Sequence, residues 1–186
     1  YRAGASLENM EFIQFLHLAY AYPETLRGHP IYGASQARWL NSLGERFMER
    51  YDPERMEKTT RDIASRAMYE EVRQGRGSIH GGVYLDYSHI PDMKAFIQSM
   101  PILSALKKAG ILDMERERVE AYPSTHYFMG GLRIDEYCGT SLPGLYAAGE
   151  CAGSIHGGNR ISGYSLLDIL VFGARAGRYA AEYIKG

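Results

Sequence analysis

Between Gly144 and Asp168 the chain reads GLYAAGECAGSIHGGNRISGYSLLD, an apolar run, a glycine-rich polar loop and an apolar helix start in immediate succession. This order constrains the fold more than any other stretch. The spacing predicts a short buried strand over Leu145–Ala148 and a helix from about Ser165 carrying Leu166, Leu167, Ile169, Leu170 and Phe172. The five glycines between them let the backbone approach a ligand closely. The unpaired N–H groups of a helix's first turn present partial positive charge to that ligand. On glycine content alone a loop that merely turns a corner is the simpler reading. Glu150, His156, Asn159 and Arg160 in the same loop argue for a binding role, because turning a corner does not require so many hydrogen-bonding side chains.

The rest of the composition sets limits. A chain of 186 residues, 45% hydrophobic and 23% charged, is of ordinary globular make-up, enough for one core or one and a half domains. The net charge of −1 argues against nucleic acid or an anionic membrane surface as an electrostatic partner. No apolar run reaches the roughly 20 residues of a spanning helix, so no direct membrane insertion is expected, and the first residues do not resemble a signal peptide. The two cysteines, Cys138 and Cys151, form neither a disulfide framework nor a metal-ligand pattern, and a reduced, cytoplasmic setting is the default expectation.

Along the chain, Arg2–Leu7 reads as a helix end and Met10–Phe15 as an extended segment. From about Leu16 to Ala121 the texture is that of helices rich in Arg, Glu and Met. Thr59–Arg73 is the clearest, with Ile63, Ala67, Met68, Tyr69 and Val72 as an apolar stripe, Glu70, Glu71 and Arg73 outside, Thr59 or Thr60 as a cap and Asp62 in the first turn. Val83–Tyr87 predicts a strand, Pro91–Met100 a helix and Ser104–Lys108 its continuation after Pro101. Tyr127, Met129, Leu132 and Ile134 alternate as in a strand. The expected organisation is a module over 17–123 inserted between pieces of another domain at 1–16 and 124–186.

Few residues offer chemistry on their own spacing. Glu24 and Arg27, three apart, share a face on a helical turn, but an exposed ion pair of little worth explains them as well. Arg61 at a helix start opposes the helix dipole and so asks for an anion. His126 lies in THYFMGG; a lone histidine in such a loop is more often structural than functional. No set of His, Cys, Asp and Glu has metal-ligand spacing.

Several segments occur in a recognisable order: MEFIQF (10–15), PETLRG (23–28), GERFMERYDP (44–53), TRDIASRAMYEE (60–71), VYLDYSH (83–89), THYFMGG (125–131), GLYAAGE (144–150), HGGNRISGYSLLD (156–168) and VFGARAG (171–177). Together they resemble the flavoprotein subunit of the succinate dehydrogenase and fumarate reductase family, which includes L-aspartate oxidase. The resemblance implies an α+β fold: the capping domain of such a flavoprotein together with the C-terminal part of its FAD-binding α/β domain. It implies FAD as cofactor, a small dicarboxylate as substrate, and an iron–sulfur subunit of a membrane-associated complex as partner, with the chain peripheral at the inner face of the cell membrane.

Carried over residue by residue, the resemblance makes Glu150, Asn159, Ser165 and Leu166 cofactor-binding residues, and His126 and Arg160 carboxylate-binding residues. A planar guanidinium suits that second task because it pairs bidentately with a carboxylate. Arg61 corresponds to the family's proton-donating arginine, with Glu24 and Arg27 as the relay that replaces its proton. The implied reaction is interconversion of succinate and fumarate, hydride moving at flavin N5 and a proton through Arg61. The alternatives are L-aspartate oxidase or another dicarboxylate oxidoreductase, and a capping module without activity on its own.

Two departures qualify this. The family pattern QFHPT is here QFLHL, with Leu16 at the histidine position, His17 one place late, Pro23 where a substrate-contacting threonine is common and a shorter connection to Glu24. The glycine-rich dinucleotide fingerprint that opens the family's FAD domain is also absent, so the sequence reads as the central and late part of a longer polypeptide, with little or no FAD binding expected in isolation.

Overall fold

The computed structural model describes residues 1–185. They form two compact units, one of residues 15–124 and one of residues 1–14 together with 125–185. The elements in chain order are β1 (Leu7–Glu8), β2 (Ile13–Tyr22), β3 (Arg38–Leu40), α1 (Met48–Tyr51), α2 (Arg61–Arg73), β4 (Val83–Asp86), α3 (Met93–Gln98), α4 (Pro101–Lys108), β5 (Val119–Phe128), β6 (Gly131–Leu132) and α5 (Tyr164–Lys185). Antiparallel strands and separately placed helices make the chain α+β.

In the 15–124 unit the core lies between a sheet of order β2-β5-β4-β3 and helix α2. Trp39 pairs with Leu85 across β3 and β4, Val83 with Ala121 across β4 and β5, and all four are buried. Helix α2 turns Ala64, Ala67, Met68 and Glu71 inward, the i, i+3, i+4, i+7 pattern of one helical face. Gly82 is required where β4 meets β5, because an added Cβ would overlap the Ala121 carbonyl. The Asp92 carboxylate caps α3 by accepting the Ala95 N–H at 2.8 Å. Pro101 opens α4, where its missing N–H costs nothing.

Glu71, expected on the outer face of α2, is instead fully buried. Its carboxylate accepts from Arg76 at 2.7 and 2.8 Å, from Asn41 at 2.9 Å and from the Tyr51 hydroxyl at 2.8 Å. Burial opposes its ionisation, but these donors outweigh it and hold the carboxyl down at about 2.

In the other unit β1 pairs antiparallel with β6, Leu7 opposite Leu132 and Glu8 opposite Gly131. The Met129 N–H reaches the Phe12 carbonyl at 3.0 Å. The adjacent glycines follow from this packing, since a Cβ on Gly130 would overlap the Asn9 carbonyl.

Four further local expectations are corrected. Arg2–Leu7 contains no helix; Leu7 belongs to β1, and the first residues lack any apolar helical face. Leu145–Ala148 forms no buried strand: Thr140 N–H bonds the Leu145 carbonyl at 2.9 Å and Ala147 N–H the Cys138 carbonyl at 3.0 Å, leaving one isolated bridge between Gly139 and Tyr146, and Leu145 is exposed. The strand from Ile13 continues to Tyr22, so the helical texture does not begin at Leu16. Thr60 occupies the cap position of α2 without a capping bond, because its hydroxyl donates to Asp62 at 2.6 Å, while the Thr59 hydroxyl donates to Asp52 at 2.5 Å.

Candidate functional site

The glycine-rich loop converges on Arg160. This residue is 5% exposed, yet among the described residues it has no carboxylate partner. Its guanidinium lies over the Tyr127 ring, 4.2 Å from the centroid. Nη1 makes only long bonds, to the Ile161 carbonyl at 3.3 Å and the Ser165 hydroxyl at 3.4 Å, and the buried Nε donates to nothing. The backbone is fixed from the other side, where the Gln14 amide donates to the Arg160 carbonyl at 2.6 Å. A buried guanidinium without an anion is costly, so this arrangement is one that a carboxylate would complete.

The same loop gathers the expected cofactor residues. Glu150 is exposed and its Oε1 accepts the Phe128 N–H at 2.9 Å, anchoring the loop to the end of β5. Asn159 is exposed, with its Oδ1 3.4 Å from the Gln14 amide. Ser165 and Leu166 lie in the first turn of α5, where the Leu166 N–H donates to the Gly163 carbonyl at 3.1 Å. Gly157 and Gly163 have positive φ of 60° and 86°, with nothing within 4 Å of where a Cβ would stand. That open glycine backbone leading to a helix start fits a flat, partly anionic cofactor. His126 lies on β5 beside Tyr127 and is exposed, whereas Tyr127 is buried, as strand alternation requires.

A cluster that the sequence reading missed completes the loop's interior. His156 Nε2 is 3.2 Å from Asp168 Oδ2 and 3.3 Å from the Tyr127 hydroxyl. Burial first, and then the Asp168 and Glu150 charges, push the Tyr127 phenol up to about 12. The available signal was Asp168 itself, a single acid inside the apolar run Leu166–Val171.

In the 15–124 unit Arg61 is the first residue of α2 and half-buried. It acts electrostatically on His17, whose imidazole is lowered to about 4 by burial first and by the Arg61 charge second. His17 Nδ1 is buried without a hydrogen-bond partner, and its ring packs against Trp39 at 5.2 Å. Glu24 and Arg27 belong to the turn that follows β2, 3.9 Å apart. Glu24 is 83% exposed at its side chain, while Arg27 is fixed by the Ala21 carbonyl at 2.9 Å and by the Tyr122 ring, 4.9 Å below its guanidinium. No group of three or more His, Cys, Asp or Glu among the described residues is arranged to hold a metal ion.

Residues 1–166 match the family model described as FAD binding domain. The chain is 46% identical to a subunit of the fumarate reductase (CoM/CoB) from Methanothermobacter marburgensis over 98% of its own length and 34% of that protein. It is 38% identical to L-aspartate oxidase from Caulobacter vibrioides, over 96% of the chain and 34% of the relative. The structure of Mycobacterium smegmatis Sdh1 superposes with a TM-score of 0.80 at 39% identity, covering 100% of this chain and 31% of that one. The chain thus spans about a third of the length of the curated relatives it matches. It belongs to the FAD-binding flavoprotein family of the fumarate reductases, succinate dehydrogenases and L-aspartate oxidases.

Proposed function

We propose that the full-length protein carrying this chain is an FAD-dependent oxidoreductase that interconverts succinate and fumarate. The observation that carries the reading is Arg160, a buried guanidinium set on an aromatic ring and lacking an anion. It would pair with one carboxylate of the diacid, its planar fork fixing the substrate's orientation, and His126 would contact a carboxylate as well. Glu150, Asn159, Ser165 and Leu166 would hold FAD, with the open backbone at Gly157 and Gly163 allowing close approach. The chemistry FAD supplies when bound is hydride transfer at the ring nitrogen N5.

Arg61 would deliver a proton to the substrate carbon in the reductive direction and accept it in the oxidative one. A guanidinium works this way only if its proton is replaced quickly, and Glu24 with Arg27 would supply the relay. Residues 15–124, for which the resemblance gives 17–123, would act as the capping domain. An iron–sulfur subunit would carry the electrons onward, with the assembly peripheral to a membrane on its cytoplasmic side; no helix among the described residues is long and apolar enough to cross a membrane.

A second reading, another dicarboxylate such as aspartate, is favoured by one observation. β2 runs unbroken from Ile13 to Tyr22 and carries Leu16 where the resemblance expects a histidine. Turnover of the full-length protein with succinate, fumarate and aspartate separates the two. In the same assay Arg160→Ala is expected to lower kcat/KM by about 100-fold or more while FAD content stays intact. An unchanged kcat/KM would remove Arg160 from substrate binding.

A further inference from the structure

We infer that Asp168, His156 and Tyr127 form a positioning cluster that aims the Arg160 guanidinium, an inference that rests on the substrate role proposed above for Arg160. Its starting point is an oddity of α5. Leu166, Leu167, Ile169 and Leu170 are all exposed, while the acid among them is 4% exposed. Burying a carboxylate is costly unless donors compensate it. His156 supplies one here. A carboxylate can only accept, so His156 Nε2 carries the proton directed at Oδ2 across 3.2 Å. The same Nε2 lies 3.3 Å from the Tyr127 hydroxyl.

The buried acid therefore fixes His156, and through it the Tyr127 hydroxyl that faces the same Nε2. The His156 and Tyr127 rings meet edge to face, centroids 5.5 Å apart, so neither can rotate without displacing the other. The upper face of Tyr127 is the surface on which the guanidinium rests at 4.2 Å. Because Nη1 makes only bonds of 3.3 and 3.4 Å and Nε makes none, the ring is the firmest fixture the head of Arg160 has. A fork held to within a fraction of an ångström pairs productively with a carboxylate, whereas a misplacement of 1 Å costs about 100-fold in rate.

The test uses the full-length flavoprotein. FAD content, the Kd of malonate (a dicarboxylate that cannot be desaturated) read from flavin absorbance, and kcat/KM for fumarate are measured for Asp168→Asn, Tyr127→Phe, His156→Gln and Arg160→Ala. Asp168→Asn is expected to weaken malonate binding about 10-fold or more with FAD retained. Tyr127→Phe, which keeps the ring, moves in the same direction, and His156→Gln, which keeps a donor, recovers most of the affinity. Added to Arg160→Ala, Asp168→Asn should cost nothing further, because both act through one guanidinium. Unchanged malonate affinity in Asp168→Asn and Tyr127→Phe, or a full extra loss in the double variant, overturns the inference. If Asp168→Asn fails to retain FAD, Tyr127→Phe decides by the same criterion. Arg160→Ala with wild-type malonate affinity would instead refute the role of Arg160 itself.

Discussion

Arginines of similar chemistry separate sharply by environment. Arg27 has Glu24, the Ala21 carbonyl and a tyrosine face, all near the surface, and an exposed pair of this kind contributes little to stability. Arg160 is buried with its charge unmet, and there function is the economical explanation. His17 shows the same logic for a neutral group. Its folded value of about 4 lies below the ordinary 6.5, because burial first and the Arg61 charge second disfavour the imidazolium. The unfolded chain therefore takes up the proton first as the pH falls. The stability contribution is complete above about 6.5 and is lost progressively as the pH falls towards about 4. Urea denaturation of wild type and His17→Phe at pH 7 and pH 4.5 checks this. The gap in stability between the two pH values should shrink in the variant; an identical gap in both would show that His17 does not titrate as described.

Elements were legible where their period was long and their partner local. The helix expected over Thr59–Arg73 forms as α2, but of the expected stripe only Ala67 and Met68 are fully buried; Tyr69 is 64% exposed and Ala64 takes a place on the inward face. The same stripe put Glu71 outside, yet it is buried, because Asn41, Tyr51 and Arg76 that satisfy its carboxylate come from other segments. Glu71→Leu should destabilise the protein by about 3 kcal/mol, leaving those donors without their acceptor. Equilibrium unfolding at pH 7 measures it, and a loss below about 1 kcal/mol would mean that the network is not structural. With its folded value near 2, ionised Glu71 stabilises fully above the ordinary carboxylate range, and that contribution fades as the pH falls towards 2. The expected strand at Leu145–Ala148 failed for the opposite reason: two backbone bonds to residues 138–140 extend it, but there is no second edge to lengthen the ladder.

At the scale of the whole molecule, the chain contains a unit with its own buried core, residues 15–124, and a second unit whose long helix α5 leaves much apolar surface uncovered, Leu170 being 69% exposed. Family membership was readable because ordered motifs survive in sequence regardless of packing. The interior of the site was not, because Asp168 looks like one acid in an apolar run until the fold brings His156 and Tyr127 to it. The proposed reaction requires Arg61 as proton donor to a dicarboxylate that Arg160 would hold. The most direct measurement is fumarate reduction by full-length Arg61→Ala, with FAD content and malonate affinity determined on the same sample. A turnover loss of about 100-fold to 10,000-fold with flavin retained is expected; turnover close to wild type in an Arg61→Ala protein with full FAD content would contradict the role of Arg61.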